Sequence, residues 1–464
     1  MVRILNAYFP VRTVVLGVSE ALLVALSFVA ATFVWLGGLG GSLDLLYEQG
    51  FMKIGLVSLV LFLSMYYFDL YDTLVLSNRR EVLTRLIQVL GTTCLGLAVL
   101  YYLYPSVRLG SAVLLSGLVL VGLALIFWRR LFLFLNRSPL FCERAMVLGN
   151  GALGFELARE FRRRPELGIR LLGYAGAVSE DESAQGDLAR LGSIDDFEET
   201  VLKKNIRRVI VAMKDRRGKL PVESLLELKA RGLIVQDGAE VYEIVTGMVP
   251  LESLRLSWLL FSPGFRSSPL MLIYKRVFSI IFGTLGLVLT APILLIAAIA
   301  IRLDSPGPII FRQKRVGKDG KRFTLYKFRS MLQGADVDGI HPPAEEEDKR
   351  FTRVGRWLRK TRVDELPQLL NILNGDMDFV GPRPFVPDQE EDCVRQIPFY
   401  KQRWSVTPGA TGWAQINRGY CTTLQDNIEK LSYDLFYIKN MSIGLDLLIL
   451  FQTIKILLLG RGSR

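Results

Sequence analysis

Histidine and cysteine are both rare in this sequence of 464 residues, and their scarcity argues against several kinds of chemistry. The one histidine, His341, lies in an acidic loop that contains prolines, which argues against catalysis by a histidine side chain. The four cysteines are scattered and lack the spacing of a metal site: Cys94, Cys142, Cys393 and Cys421. We expect them to remain reduced in a cytoplasmic setting.

Acidic residues are outnumbered by basic ones, so that the formal net charge is +12. Such a charge can indicate nucleic-acid binding, but the basic residues cluster beside apolar segments and the sequence has no zinc or RNA-binding signature. We therefore predict membrane lipids and phosphate-bearing ligands as partners, and no nucleic acid.

Long apolar runs are abundant, and the mean hydropathy of +0.31 is high for a soluble protein. A transmembrane helix needs roughly 20 apolar residues. Four N-terminal runs suit this role, at residues 13–41, 54–68, 86–107 and 109–128. The first run is too long for a signal-peptide core and no small-residue cleavage site follows it, so we predict that it is retained. Residues 1–138 are therefore predicted to form four transmembrane helices.

Basic residues predict the orientation of these helices, because cytoplasmic loops are enriched in Lys and Arg. The segment 38–50 carries only Asp44 and Glu48. Arginines lie before the first run, between the second and third, and after the fourth: Arg3, Arg12, Arg79, Arg80, Arg85, Arg129, Arg130 and Arg137. We therefore predict that the N-terminus and everything after the fourth helix are cytoplasmic.

Residues 139–245 alternate short apolar strands with amphipathic helices, which predicts a Rossmann-like α/β domain with a parallel sheet. Gly149, Gly151 and Gly154 form GxGxxG between a strand and a helix, as in dinucleotide sites. Such sites also have an acidic residue at the end of the second strand. No acidic residue ends the second predicted strand here, because Glu180 and Asp181 follow it several residues later. The glycines indicate either a weak nucleotide loop or a tight turn with close helix packing. Residues 246–270 are predicted to be a linker.

A fifth apolar run, 277–301, is also long enough to span a membrane. A dense cationic block follows it, and crossing would place that block outside, against the positive-inside tendency. Pro292 lacks a backbone donor and favours a break in the helix. The residues support two alternatives equally, a re-entrant helix that returns to the cytoplasm and an ordinary kinked span.

The segment 310–331 holds eight Lys or Arg and one acid, interleaved with aromatic residues. Such a segment can form a basic surface that lies on anionic lipid headgroups, or it can form a site that binds phosphate. Asp364 and Glu365 then precede leucines at helical spacing, and Pro367 predicts that Asp364 lies at or next to the helix N-cap. A helix cap would explain one of these acids.

Arginines near the acid pair favour phosphoryl transfer over simple capping. Arg359 and Arg362 flank the pair, and Arg383 lies between two prolines in GPRP. A carboxylate can hold a divalent metal or attack phosphorus, while guanidinium groups neutralise phosphate oxygens. Asp376 and Asp378 are either metal ligands or turn residues.

The order KFRSM, DELPQLLNILNGDMDFVGPRP and PGATGWAQIN resembles the monotopic phosphoglycosyl transferases, the bacterial sugar transferases that act on polyprenyl phosphate. The resemblance covers residues 271–464. The four-helix N-terminus with a Rossmann-like insert is similar to the large members, which start exopolysaccharide or O-antigen units. It implies a mainly α monotopic catalytic domain whose re-entrant helix, 272–302, breaks at Pro292.

The resemblance also implies an activity: transfer of a sugar-1-phosphate from a UDP-sugar to undecaprenyl phosphate, with Mg²⁺ and a covalent intermediate. Asp364 would be the nucleophile and a metal ligand, and Glu365 its catalytic partner. Arg359, Arg383, Lys327, Arg329 and Arg362 would bind phosphate. Asp434 and Arg418 would be possible nucleotide-binding residues. The implied setting is the bacterial inner membrane, with the catalytic domain facing the cytoplasm, and a homodimer.

Two positions depart from the family pattern. Members often carry an acid where this chain has Ser279, which raises the question of how the membrane helix is anchored. After GWAQ the usual Asn-Gly is interrupted by Arg418, which affects where the nucleotide is held. The rival hypotheses are a membrane-anchored oxidoreductase that uses the glycine loop and a non-catalytic scaffold of polysaccharide assembly.

Overall fold

The structure is a computed structural model that forms two compact units, mainly residues 9–238 and 239–464. It describes residues 2–4, 7–71, 79–137, 142–177, 188–213, 216–217, 219–251, 264–265, 268–332, 350–418 and 423–459. His341, Cys421, Glu180 and Asp181 lie outside these ranges. The second unit begins before residue 245, where we placed the end of the Rossmann-like domain, and most of the predicted linker lies outside the described residues.

Four long apolar helices form the first part of the first unit. Two short strands precede them in the chain, β1 (Val2–Ile4) and β2 (Ala7–Phe9), and most of their residues are grouped with the second unit. The helices are α1 (Val11–Tyr47), α2 (Gly50–Tyr67), α3 (Arg79–Leu103) and α4 (Ser111–Arg137). By length and composition they could cross a membrane, as could Pro269–Asp304. The chain is therefore a membrane protein with several long apolar N-terminal helices.

The charge that interrupts the first apolar run is neutralised inside the helix bundle. Glu20 on α1 accepts hydrogen bonds from the Arg129 guanidinium of α4 at 2.6 and 2.9 Å. Arg129 also donates to the Leu70 carbonyl at 3.0 Å, and both charged side chains are buried. Because an isolated charge is costly in this setting, the pair joins the two helices.

The predicted parallel sheet is present in the second part of this unit. Its strands are β3 (Glu143–Leu148), β4 (Ile169–Ala175), β5 (Arg190–Gly192), β6 (Arg208–Val211) and β7 (Ile234–Asp237), in the order β5-β4-β3-β6-β7. All the strand pairs are parallel. The helices between the strands are α5 (Ala152–Arg163), α6 (Phe197–Lys203) and α7 (Val222–Ala230). Buried apolar side chains from strands and helices form one core.

The second unit is mainly helical and holds the acid pair. Its helices are α8 (Gly238–Thr246), α9 (Pro269–Asp304), α10 (Arg353–Lys360), α11 (Gln368–Asn374), α12 (Pro387–Gln396), α13 (Trp413–Asn417), α14 (Leu424–Asn440) and α15 (Ile443–Leu458). Its strands form an antiparallel pair, β8 (Ile310–Val316) with β9 (Arg322–Phe328), and a parallel pair, β10 (Asp378–Val380) with β11 (Gly409–Thr411).

The long helix α9 continues through Pro292 without a break in its helical backbone, so the break predicted at that residue is not present. The helix is anchored near its start by a buried polar cluster. Lys275 donates to the Val380 carbonyl at 2.7 Å and lies 3.3 Å from Asp446 of α15. Ser279, the first of the two departures from the family pattern noted above, donates to Asp378 at 3.1 Å. The acid that pairs with the helix is thus supplied by β10. Because Asp378 lies in β10 and bonds to α9, the structure favours neither of the two roles considered for it, a turn residue or a metal ligand.

Candidate active site

The acid pair lies in a 3₁₀ turn, Val363–Glu365, between α10 and α11. Arg362 makes the turn possible with a left-handed backbone, φ 58°, a conformation uncommon for residues other than glycine. Pro367, rather than Asp364, is the N-cap residue of α11. Our N-cap expectation for Asp364 was therefore wrong, because the chain enters helical geometry one turn earlier and Pro367 is compatible with it.

Glu365 is surrounded by three cations. Its Oε1 atom accepts hydrogen bonds from Lys327 Nζ and Arg383 Nη2, each at 2.9 Å, and lies 3.8 Å from Arg362 Nη1. Burial acts to raise the pKa of Glu365, but the charges of Lys327 and Arg383 dominate and hold that pKa well below its usual range. Glu365 is therefore ionised at neutral pH.

Asp364 has the opposite environment. Its side chain is buried, and its Oδ1 atom has no hydrogen-bond partner. Burial raises the pKa of Asp364 to about 6, and the Glu365 carboxylate adds to the rise, against the opposing charges of Lys327, Arg359 and Arg362. The pair thus combines a carboxylate held by cations with one whose oxygen is unsatisfied, a pattern typical of functional sites.

Arg359 approaches the pair from α10, one turn before it in the chain. Its guanidinium lies 4.3 Å from the centroid of the Phe351 ring, and its charge acts on Asp364. Stacking fixes the plane of the guanidinium without using its hydrogen-bond donors. Arg359, Arg362, Lys327 and Arg383 therefore lie close to the acid pair, and their binding of phosphate stays a prediction.

Two backbone contacts hold Arg383 in place. The Arg403 guanidinium donates to the Arg383 carbonyl at 2.8 Å, and Arg315 donates to the Pro384 carbonyl at 3.1 Å. The GPRP turn follows β10, which pairs with β11 so closely that a Cβ on Gly381 would lie 2.5 Å from the Thr407 carbonyl oxygen. The motifs DFVGPRP and PGATG are thus two halves of one rigid support.

Arg329, which we predicted to bind phosphate, contacts the end of α9. Its guanidinium donates to the carbonyls of Pro306 and Ser305 at 2.9 and 2.7 Å and to that of Ile301 at 3.4 Å. The side chain is 6% exposed. These contacts close the C-terminal end of the apolar helix, where carbonyl groups lack helical partners.

The two possible nucleotide-binding residues are also paired with protein groups. Asp434 is 1% exposed and accepts from Arg403 Nε at 2.8 Å. Arg418 pairs with Asp426 at 2.6 Å and with Glu429, both on α14. Asp434 thus acts on the site through Arg403, which supports Arg383, and Arg418 braces the start of α14.

The glycines of the GxGxxG loop lie against protein atoms. Gly149 has φ 113°, and a Cβ there would come within 2.9 Å of the Met213 backbone. A Cβ on Gly151 would lie 2.9 Å from the Ala212 carbonyl oxygen, and one on Gly154 would lie 2.9 Å from Val147 Cγ1. Close packing accounts for all three glycines.

A hard divalent cation fits the unsatisfied oxygen of Asp364, since carboxylate oxygen is the ligand that Mg²⁺ prefers. The residues that the structure describes contain no cluster of three or more acidic, histidine or cysteine side chains that could hold a metal ion. A Mg²⁺ site needs only one or two protein carboxylates, because water and substrate phosphates complete it.

Comparison with known families places these features in context. Residues 270–460 match the bacterial sugar transferase family, and residues 66–224 match a family described as a CoA-binding domain. The first match contains the acid pair, its cations and the β10–β11 support. The second contains β3 and the GxGxxG loop.

Characterised relatives agree with the first match. A UDP-N-acetylgalactosamine-undecaprenyl-phosphate N-acetylgalactosaminephosphotransferase of Aeromonas hydrophila is 42% identical over 48% of this chain and 52% of its own length. A UDP-glucose:undecaprenyl-phosphate glucose-1-phosphate transferase of Escherichia coli (strain K12) is 35% identical over 66% of each chain. An undecaprenyl-phosphate glucose phosphotransferase of Komagataeibacter xylinus is 31% identical over 78% of this chain and 72% of its own length.

The chain covers about half to three quarters of the length of these relatives. The fold and the site define a membrane protein with a pair of adjacent acids, Asp364 and Glu365, set among four cationic side chains. The chain belongs to the bacterial sugar transferase family.

Proposed function

We propose that this protein transfers a sugar-1-phosphate, from the relatives' names a hexose or acetamidohexose phosphate, from a UDP-sugar to undecaprenyl phosphate and releases UMP. This would be the first membrane step of exopolysaccharide, O-antigen or capsule assembly, at the cytoplasmic face of the bacterial inner membrane. The observation that carries the proposal is the buried, unpartnered oxygen of Asp364 beside four cationic side chains. An anionic nucleophile needs such surroundings to approach a phosphate.

In the first step, an Asp364 oxygen forms a bond to the sugar-bearing phosphorus of the donor. The bond from this phosphorus to the bridging oxygen breaks, and UMP leaves with the bonding electrons. Lys327, Arg359 and Arg383 take up the charge of the phosphate oxygens. Asp364 would hold a Mg²⁺ ion, which would supply further charge neutralisation.

In the second step, an oxygen of the lipid phosphate attacks the same phosphorus and releases the Asp364 carboxylate. The sequence alone suggested that Glu365 accepts a proton from the lipid phosphate or orients it. Its depressed pKa makes Glu365 a poor proton acceptor. We therefore assign Glu365 an orienting role, in which it holds Lys327 and Arg383 until the phosphates bind.

We further propose that α9 is re-entrant, so that the water-soluble donor and the lipid meet at the membrane surface. Residues of α10 and α11 pack against α9 before and after Pro292. A Cβ on Gly286 would contact Leu369 of α11 at 3.5 Å, and Ala297 packs in a cluster with Leu358 of α10.

The same two short helices also contact α9 near its start, where Arg276 donates to the carbonyls of Ile372 and Leu373 at 3.0 and 2.7 Å, and near its end, where Ile301 joins the cluster with Leu358. Because one pair of helices contacts both ends of α9, these contacts support a helix whose ends remain on one side of the membrane.

The two rival functions explain fewer observations. A Rossmann-type oxidoreductase would need the glycine loop to receive a dinucleotide, whereas packing already accounts for its glycines. A non-catalytic scaffold gives no reason for an unsatisfied buried carboxylate, which destabilises a protein. The transferase proposal explains both the acid pair and its cations.

The test combines purified protein, undecaprenyl phosphate, Mg²⁺ and a panel of UDP-sugars, with UMP as the measured product. Donor alone should yield about one equivalent of UMP per site and a phosphosugar adduct on the protein, measured by intact mass spectrometry. The matched control, Asp364→Asn, keeps the side-chain size and should give neither. If the wild type released UMP only after lipid was added, direct transfer would replace the covalent scheme.

A further inference from the structure

Gln368, the first residue of α11, is a second buried polar group without a partner. Its side chain is 4% exposed, and its Nε2 atom makes no hydrogen bond. Buried amide groups in folded proteins nearly always find a partner, because an unsatisfied donor costs free energy. Such an exception within a site calls for an explanation.

The position of Gln368 relative to Asp364 suggests one. Residues 363–365 form a 3₁₀ turn, Leu366 and Pro367 have αR backbone angles, and α11 follows directly. Side chains four residues apart on a helical run lie on the same face. By this spacing an unpartnered donor, Gln368 Nε2, and an unpartnered acceptor, Asp364 Oδ1, belong to side chains on the same face of the helical run, and the two atoms do not bond to each other.

The other buried amide of α11 provides an internal comparison. Asn371 donates to the Thr324 carbonyl at 2.7 Å and to Asp376 at 3.2 Å, and it accepts from the Tyr326 N–H at 3.0 Å. Asn371 thus uses both of its donors and its acceptor oxygen, and two of these three hydrogen bonds tie α11 to β9. Gln368 lies one turn nearer to the acid pair and has no such task.

We propose that Gln368 is a catalytic residue whose Nε2–H donates a hydrogen bond to a non-bridging oxygen of the sugar-bearing phosphoryl group while that group is bonded to Asp364. This inference rests on the proposed function. The same phosphorus is attacked in both steps, so one donor beside Asp364 serves both. A neutral donor stabilises the phosphoryl oxygen and leaves the charge of the attacking carboxylate unchanged, which a further cation would not.

The test uses two variants of the full-length protein, Gln368→Met and Gln368→Glu. Methionine keeps the length of the side chain without a donor, and glutamate replaces the donor by an acceptor. We expect the rate constant of donor-only UMP release to fall about 100-fold in both, the usual effect of removing one such donor.

Affinity for UMP should remain close to wild type in both variants. The melting temperature of Gln368→Met should not fall, because methionine removes an unsatisfied buried donor. Gln368→Glu adds a buried carboxylate, so its rate is compared per folded protein. Asn371→Leu should lower the melting temperature.

A donor with sulfur in place of one non-bridging oxygen on the sugar-bearing phosphate adds a readout that misfolding would not change. For one diastereomer the wild type should lose rate because sulfur is a poor acceptor, and Gln368→Met should lose less. Wild-type rates in Gln368→Met, or an unchanged sulfur effect, would overturn the assignment of Gln368 alone. Absence of UMP release by the wild type from every UDP-sugar would overturn the proposed function and this assignment together.

Discussion

The Arg403 guanidinium donates a hydrogen bond to the backbone carbonyl of Arg383 at 2.8 Å, while the Arg383 side chain reaches Glu365. Arg403 is itself held by Asp434 and Glu390, at 2.8 and 3.3 Å, and all three side chains are buried. A charge network on α12 and α14 thus fixes a guanidinium at the acid pair. A rigid cation needs no reorganisation when phosphate charge develops.

The first prediction follows from this network. Asp434→Asn should destabilise the protein by about 3 kcal/mol, because it leaves the buried Arg403 charge poorly compensated. The loosened Arg383 should lower kcat more than it raises KM for the UDP-sugar. Thermal unfolding and steady-state UMP release measure the two effects.

A matched control separates this role from nucleotide binding. Glu391→Gln removes an exposed ion pair with Arg322, at 3.3 Å, and should change stability by less than about 1 kcal/mol. If Asp434→Asn raised only KM and left the melting temperature unchanged, Asp434 would be a nucleotide contact, as the sequence suggested.

The second prediction concerns the glycine loop. Gly151→Ala should lower the melting temperature, because the new Cβ would lie 2.9 Å from the Ala212 carbonyl oxygen. The folded fraction should retain UMP release, because the loop and Asp364 belong to different compact units. Gly91→Ala is the control, since a Cβ there meets nothing within 4 Å. Turnover that required stoichiometric nicotinamide would refute this structural role.

Local sequence indicated the acid pair and two of its cations because these residues are close along the chain, whereas Lys327 and Arg383, the cations that bond to Glu365, come from distant segments. Arg359 and Arg362 precede Asp364 by less than two helical turns, and the prolines around Arg383 signal a stiff turn. The long apolar helices and the parallel sheet were equally predictable, because both rest on periodic patterns within short windows.

Contacts between distant residues could not be predicted in this way. Nothing in the local sequence indicates that Arg403 supports Arg383, or that Arg329 closes the end of α9. The sequence also gave no sign that Gln368 lacks a partner whereas Asn371 has three, since this depends on where β9 packs. The N-cap position predicted for Asp364 was wrong because Arg362 adopts a left-handed backbone conformation, which normally favours glycine.

The third prediction concerns the topology of α9. In a cysteine-free background, single cysteines at the exposed positions Leu270 and Asp319 should both react with an impermeant maleimide only from the cytoplasmic side. A cysteine at Glu48, in the loop predicted to lie outside, is the control for the opposite face. Labelling of position 319 from the outside would mean that α9 crosses the membrane.

Pro292→Leu extends the topology prediction. Leucine restores a backbone N–H donor and removes the clash of the proline ring with the preceding turn, which should favour a straight helix. We expect position 319 to become partly accessible from the outside, with a matching loss of UMP release. Unchanged labelling and activity would show that the contacts of α9 with α10 and α11, rather than Pro292, determine its path.

The fourth prediction is a dependence of stability on pH. A pKa of about 6 for Asp364 in the folded protein, against 3.8 as the usual value, means that the folded state binds its proton more tightly than the unfolded chain does. Ionisation of Asp364 therefore destabilises the fold. The free energy of unfolding therefore begins to fall as the pH rises through about 4. The fall is complete above about 6, where it amounts to about 3 kcal/mol.

Asp364→Asn removes this cost while it removes the nucleophile. In the presence of a chelator, the variant should therefore melt at a higher temperature than the wild type at pH 7.5, and the gap should narrow at pH 5 and vanish near pH 3. Added Mg²⁺ should stabilise the wild type more than the variant, because a ligand raises the stability only of a state that binds it. An equal gap at all three pH values would show that Asp364 ionises without cost in the folded protein, and that the unsatisfied oxygen is compensated there in some other way.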